Sequence, residues 1–374
     1  MHAIVHIGMP KAGSSSIQAW LQRNKVALAR QGVVYDRLAA PGAPSSSQAE
    51  LAVCVFDRMG RQLPSRWFWS AIGVLDEASQ RAFAQSHTAR FRASVRAAQG
   101  RVYVISAENL AATLRTGEEI TALAQFLSEF FEEVRYVLYL RRQEEYVPSA
   151  YSQTIRRGAN TSLQDVMRRI IRRDYFKMVE CWATAVGRDA LEVRLLEPDA
   201  LIDGDLLADF AAVLGVDQTG FIIPDRLNES LSRAALEILC AHAAGHPAFL
   251  ENGHKNPAVA RFTKLLYTLD RDRTYEKPVL TQGQVRKVRN ACADSNERLR
   301  TAWFPDRAEL FPEPPPPPAR VPGPRVSRQV AELAVALYET PSPVTPRIPA
   351  RLARRVTRLR RFLRFRRGRH GRAT

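Results

Sequence analysis

Four cysteines in 374 residues are too few and too scattered for a disulfide framework. Cys54, Cys181, Cys240 and Cys292 form no Cys-x-x-Cys pair, and no His-Glu-x-x-His helix accompanies them. That usage predicts reduced thiols in a reducing compartment. His242, His246 and His254 lie close in sequence without matching cysteines, so no metal is expected. No apolar run approaches the roughly 18 residues of a membrane span. The short apolar start lacks a small-residue cleavage site, so a cytoplasmic location is expected. One stretch has no acidic residue at all: residues 347–374 hold twelve arginines and neither Asp nor Glu. That tail accounts for twelve of the +17 net charge and leaves +5 for residues 1–346. A mildly basic body suits an anionic ligand. At this length, with 45% hydrophobic residues, the chain can bury a sizeable core.

What is present begins at once. Ala3-Ile4-Val5-His6-Ile7 reads as a buried parallel strand. It runs into a loop holding Gly8, Lys11 and Gly13, then Ser14, Ser15 and Ser16. Ile17, Trp20 and Leu21 follow at helical spacing. Strand, glycine loop and helix present backbone N–H groups and a helix N-terminus to an anion. Gly8 and Gly13 have the separation found in G-x-x-x-x-G-K-[ST], the nucleotide-triphosphatase loop. Ser14, however, stands where that loop has its lysine, and the lysine lies inside the loop instead. Any strand-to-helix turn favours Gly and Ser. The internal lysine lifts the pattern above that background.

A second segment, Val134-Arg135-Tyr136-Val137-Leu138-Tyr139-Leu140, reads as another buried strand ending in Arg141-Arg142. Ser149 follows Arg141 by eight residues. Taken alone this is a strand-to-helix junction with surface arginines. Pro10-Lys11-Ala12-Gly13-Ser14-Ser15 resembles the 5′-phosphosulfate loop of the sulfotransferases, which use 3′-phosphoadenosine 5′-phosphosulfate (PAPS). That family usually has two threonines where Ser14 and Ser15 stand, so the hydroxyls are kept. The resemblance further implies that Arg141 and Ser149 hold the donor's 3′-phosphate, the arginine as a fork and the serine as a facing hydroxyl. Residues 175–182, 191–194, 205–215 and 226–232, and the stretch from Asn296 to Phe304, are similar to later parts of bacterial carbohydrate-type members. The likeness spans about residues 1–311.

The resemblance implies an α/β fold: a three-layer arrangement of a parallel sheet flanked by helices, P-loop NTPase-like, with a helical basic C-terminal tail. It implies a sulfuryl transfer to a hydroxyl of a carbohydrate or lipid-linked acceptor. Residues 12–16 (Ala12, Gly13, Ser14, Ser15 and Ser16) then position the donor, and Lys11 neutralises the leaving oxygen. Family members place a histidine or glutamate base beyond a neighbouring strand, and Glu108, after a strand at 101–106, is the candidate here. Its other reading is a helix cap or an arginine partner. No metal is required. A P-loop-type kinase is the rival enzyme, and Ser14 argues against it. A non-catalytic nucleotide-binding protein is the rival of another class, and the intact Lys11, Arg141 and Ser149 argue against that.

Three units are expected: a body at 1–311, a proline-rich linker at 312–325 containing Pro314 to Pro318, and a basic extension at 326–374. Residues 36–64 read as a loop-rich insertion around a short apolar run. Trp67, Phe68 and Trp69 are either core or an aromatic wall for the acceptor. In the extension, Val326, Val330, Leu333 and Leu337 form one helical face, and Leu352, Val356, Leu359 and Leu363 another among arginines. The second suggests either an anionic membrane surface or a tail without a specific target. No nucleic-acid recognition module is present.

Overall fold

A computed structural model describes residues 1–38, 48–64, 69, 72–108, 110–224, 231–247, 250, 256–270 and 277–313, with 331, 334, 335 and 338. The linker prolines, the arginine-rich tail, Asn109, Trp67, Phe68, His254 and residues 225–230 lie outside these. So do Val326, Val330, Leu333 and Leu337.

Five strands of the described residues form one parallel sheet: β1 (His2–His6), β2 (Val33–Tyr35), β3 (Val102–Ser106), β4 (Glu133–Leu140) and β5 (Leu191–Leu195), in the order β2-β3-β1-β4-β5. β1 pairs on both sides, His2 opposite Val102 and opposite Glu133. A central parallel strand is covered on both faces, which is why Ala3, Ile4, Val5 and His6 are all buried, with no alternation. The chain goes from β1 to β2 and β3 on one side and then crosses to β4 and β5 on the other. The carboxyl end of β1 is therefore a topological switch point, where open α/β sheets bind ligands.

Helices flank the sheet. α1 (Ser14–Arg23) follows β1, and α2 (Lys25–Arg30) leads into β2. α3 (Leu51–Arg58) buries every residue from Leu51 to Phe56 and packs on α4 (Glu77–Ala97). The expectation of a loop-rich insertion at 36–64 is thus corrected: its apolar run is a core helix, and hydrophobic content overrode the neighbouring Pro, Gly and Ser. α5 (Leu110–Thr113) and α6 (Gly117–Ser128) precede β4, the latter opened by a Thr116–Glu119 capping box. α7 (Gln143–Arg156), α8 (Leu163–Ile170) and α9 (Tyr175–Val186) lie between β4 and β5. α10 (Leu206–Leu214) starts at the Asp205 cap and stops at Gly215, whose left-handed backbone (φ 66°) suits glycine. α11 (Arg233–Gly245), α12 (Pro257–Leu269) and α13 (Gln282–Trp303) complete the described helices.

The main core runs from Ala3 through Trp20, Tyr139, Trp182 and Phe210 to Phe311. Trp69 is buried within it. A second apolar cluster joins Ile155 at the end of α7 to Leu236, Leu239, Phe262 and Leu266, and Val335 sits in it. The buried Arg142 guanidinium donates to both Glu197 carboxylate oxygens and, at 2.9 Å, to the Pro312 carbonyl. A buried charge is tolerated only with such partners. This pair fixes the start of α7 relative to the loop after β5.

Candidate functional site

The loop after β1 is built on left-handed backbone. Gly8 (φ 64°), Lys11 (φ 70°) and Gly13 (φ 85°) all have positive φ. Gly8 is needed for space as well: a Cβ there would lie 2.4 Å from the Glu108 Cα, a backbone atom that cannot swing aside, whereas one on Gly13 would meet only the movable tip of the Leu206 side chain. Lys11 holds a conformation that side chains rarely adopt, a strain typical of functional loops. Ala12 N–H donates to the Met9 carbonyl (3.2 Å) and Ser16 N–H to that of Gly13 (2.9 Å), closing the curl. Gly13 is the N-cap of α1, and no side chain caps that helix. The amides of Ser14 and Ser15 therefore head the helix where its dipole favours an anion. The buried Ser14 hydroxyl donates to Met9 O at 3.4 Å, so Ser14 braces the loop with its side chain. Ser15 and Ser16 are half-buried at the mouth, and Ala12 is fully buried.

β4 delivers Arg141 to the same place. Its Nη1 donates to the Lys11 carbonyl at 3.1 Å, while Nε and Nη2 donate to Glu145 Oε2 at 3.2 and 3.0 Å. Tyr175 Oη donates to the Arg141 carbonyl at 2.9 Å and holds the strand end. Ser149 is half-buried two turns along α7. Residues 130 apart in sequence thus meet at one edge of the sheet.

β3 delivers Glu108, half-buried against Gly8. Burial holds its carboxyl above the ordinary 4.5, opposed by the charges of Lys11 and Arg157. Lys11 is pushed below its ordinary 10.5, first by burial, then by Arg156, with Glu108 opposing and Arg141 and Arg157 adding to the fall. Tyr146, buried in α7, accepts from Arg173 Nη1 at 2.9 Å with that guanidinium over its ring. Burial raises the Tyr146 hydroxyl, Arg173 lowers it, and Glu108 raises it again. Arg156, Arg157, Tyr146 and Arg173 were not singled out from the sequence as site residues. The one available signal was Arg156-Arg157-Gly158, which reads as a helix break.

On the β4–β5 side lies a cleft of about 790 Å³. Ser16, Arg142 and Glu145 line one part, and Leu196, Leu206 and Ile223 supply apolar walls. The three parts stand in sheet order: Glu108 beyond β3, the Lys11 loop beyond β1, the cleft beyond β4 and β5.

His6, in β1, is fully buried with Nδ1 2.9 Å from Ser106 Oγ, in agreement with a core role. His2 is exposed and pairs with Glu133. Among the described residues no helix is long and apolar enough to cross a membrane.

No protein-family model matches the chain, and no curated protein does. Among solved structures, a sulfotransferase from Alicyclobacillus acidocaldarius aligns at 16% identity over 71% of this chain and 95% of its own, with a TM-score of 0.37.

Proposed function

We propose that the protein is a sulfotransferase that moves the sulfuryl group of PAPS to an acceptor hydroxyl. The observation that carries this reading is the direct hydrogen bond from Arg141 to the backbone of Lys11. It joins an anion-binding loop to a second cationic group. One nucleotide with charge at both its 5′ and 3′ positions needs such a pair; ATP, whose charges form one chain, does not. The loop's lysine lies inside it, and Ser14 occupies the position of a triphosphatase lysine.

In this reading Gly13, Ser14 and Ser15 bind the phosphosulfate through backbone N–H groups, with the Ser15 and Ser16 hydroxyls beside them. Arg141 and Ser149 take the 3′-phosphate, and the cleft beyond β4 and β5 takes the adenosine. The donor then enters from one side of Lys11 and the acceptor from the other, beside Glu108. That order suits in-line displacement. The acceptor oxygen bonds to sulfur while the bond from sulfur to the bridging oxygen breaks. The electron pair goes to the departing 3′,5′-bisphosphate, where Lys11 neutralises it. Glu108 takes the acceptor's proton, helped by a carboxyl already raised by burial. The acceptor class is a carbohydrate or lipid-linked hydroxyl, in keeping with the sequence resemblance. The arginine-rich tail is proposed to rest on an anionic membrane surface.

Calorimetry with 3′,5′-bisphosphoadenosine and with ATP tests the donor. The bisphosphate should bind at least tenfold more tightly, and Ser149→Ala should narrow the gap. Equal affinities would remove the assignment.

A further inference from the structure

Glu108 owes its place to the two residues before it, and these are pinned from both sides. Along β3 the backbone groups of successive residues face β1 and β2 in turn. Ala107 faces β1, and its N–H donates to the His6 carbonyl at 3.0 Å. Val102 faces β2, and its N–H donates to the Gly32 carbonyl at 3.1 Å. With Tyr35 opposite Val104, the same register would pair the Ser106 N–H with the Asp36 carbonyl. The Gln48 carboxamide stands between them instead. Its Oε1 accepts from the Ser106 N–H at 2.7 Å, and its Nε2 donates to the Asp36 carbonyl at 2.8 Å. The Gln48 N–H donates in turn to the Ser106 carbonyl at 3.0 Å. One residue thus supplies a rung of the sheet at the point where β2 has ended.

Gln48 is 3% exposed, so water does not compete for these bonds. The groups it holds are fixed by others as well. The Asp36 carboxylate accepts from Ser94 of α4 at 2.6 Å, and that hydroxyl lies 2.8 Å from the Tyr103 Oη. Gln18 of α1 also donates to the Ser106 carbonyl, at 3.4 Å. Past Ser106 the chain has only the fully buried Ala107 before Glu108. The Glu108 Cα and N lie so close to Gly8 that a Cβ there would meet them at 2.4 and 2.8 Å. Without the carboxamide, the Ser106 N–H and the Asp36 carbonyl would be left unpaired. The strand ends would have to close together or admit water, and either change moves Glu108 against the loop.

We propose that Gln48 is a positioning residue that sets the Glu108 carboxylate beside the Lys11 loop. This rests on the sulfuryl-transfer reading, which gives Glu108 a proton to take. Misplacing a reacting group by about 1 Å can cost about 10²-fold in rate.

Water serves as the acceptor probe. The full-length protein is given PAPS, and release of inorganic sulfate is followed. The water oxygen bonds to sulfur while the bond from sulfur to the bridging oxygen breaks. The electron pair leaves with the bisphosphate, and Glu108 takes a proton from the water. Gln48→Met should lower this rate about tenfold, with the 3′,5′-bisphosphoadenosine affinity held within about twofold. In a Glu108→Gln background the same substitution should have no further effect, because Gln48 acts only through that carboxylate. The ligand-free protein gives a second readout: the carbon-13 carboxyl resonance of Glu108, assigned with Glu108→Gln and titrated with pH. Its midpoint should fall toward the ordinary 4.5 in Gln48→Met, because a loosened carboxyl gains water while Lys11 and Arg157 remain. If Gln48→Met does not fold, Gln48→Asn, one methylene too short to span Ser106 and Asp36, is read in its place. An equal loss of rate in both backgrounds, or a rate and midpoint that do not move, overturns the role. If the bisphosphate does not bind, the donor assignment fails separately, and the midpoint still decides whether Gln48 places Glu108.

Discussion

Arg141 reaches across from the end of β4 and donates to the carbonyl of Lys11, 3.1 Å away. That contact makes the loop conformation depend on a residue from a neighbouring strand. It also stabilises the left-handed Lys11 backbone (φ 70°), which has no glycine to ease it. The loop is thereby shaped before a ligand arrives, which spares the ordering cost on binding.

Lys11→Ala tests the role of the amine. Alanine bears the same backbone strain as lysine, so folding should change little. Loss of one donor to a developing oxyanion costs about 10²–10³ in turnover in other enzymes. A fall in kcat of that size, with the melting temperature nearly unchanged and bisphosphate binding weakened, is expected. Turnover within threefold of the parent protein would exclude Lys11 from charge neutralisation.

Gly8→Ala should damage both the loop and Glu108. The added Cβ meets the Glu108 Cα at 2.4 Å, and the φ of 64° is itself strained for alanine. Backbone cannot swing aside as a side chain can. A stability loss of about 1–3 kcal/mol is expected, with lower activity in whatever fraction folds. Urea unfolding measures the first and a single-turnover assay the second. A fully stable, fully active variant would mean that the contact between the two loops is dispensable.

Strands and loop chemistry were legible because they are local. The run from Ala3 to Ile7, the spacing of Gly8 and Gly13, and the apolar stretch before Arg141 each declare an element without help from the rest of the chain. Glu108 was found only through its position after a strand, and the structure sets it against Gly8. Arg156 and Arg157 were not legible as site residues. They enter the site's electrostatics through where α7 ends, and that end is held by Ile155 packing with residues about 80 to 110 positions later. The helix at Leu51–Arg58 was missed because its apolar residues have no spare polar face, so periodicity had nothing to show.

The pH dependence of kcat/KM should be bell-shaped, with limbs drawn together. In the proposed transfer Glu108 must be ionised to accept a proton, and its carboxyl is held above the ordinary 4.5, so activity should fall on the acid side at a pH higher than for a free carboxylate. Lys11 must be protonated to neutralise the leaving oxygen, and its amine is held below 10.5, so the alkaline fall should come early. Arg157→Gln removes a charge that favours the Glu108 carboxylate. The acid limb should therefore move to still higher pH. An acid limb unmoved by that substitution would separate Glu108 from the limb.

Stability has its own acid limit, set away from the site. His6 is held down to about 4 by burial, against 6.5 when exposed. Its Nδ1 lies 2.9 Å from Ser106 Oγ, and its buried Nε2 has no partner among the described residues, so a proton there would be unpaired charge. The unfolded chain takes up this proton first as pH falls below 6.5, and the folded protein only near 4. Stability should thus be complete above pH 6.5, decline through that window, and level off below it, by about 3 kcal/mol for this one residue. His87, lowered to about 4 by burial and then by Arg90, adds a second loss in the same window. Urea unfolding at intervals from pH 4 to 7 should show the slope, and His6→Asn should roughly halve it. An unchanged slope in that variant would show that the His6 imidazole takes up its proton at the same pH folded as unfolded.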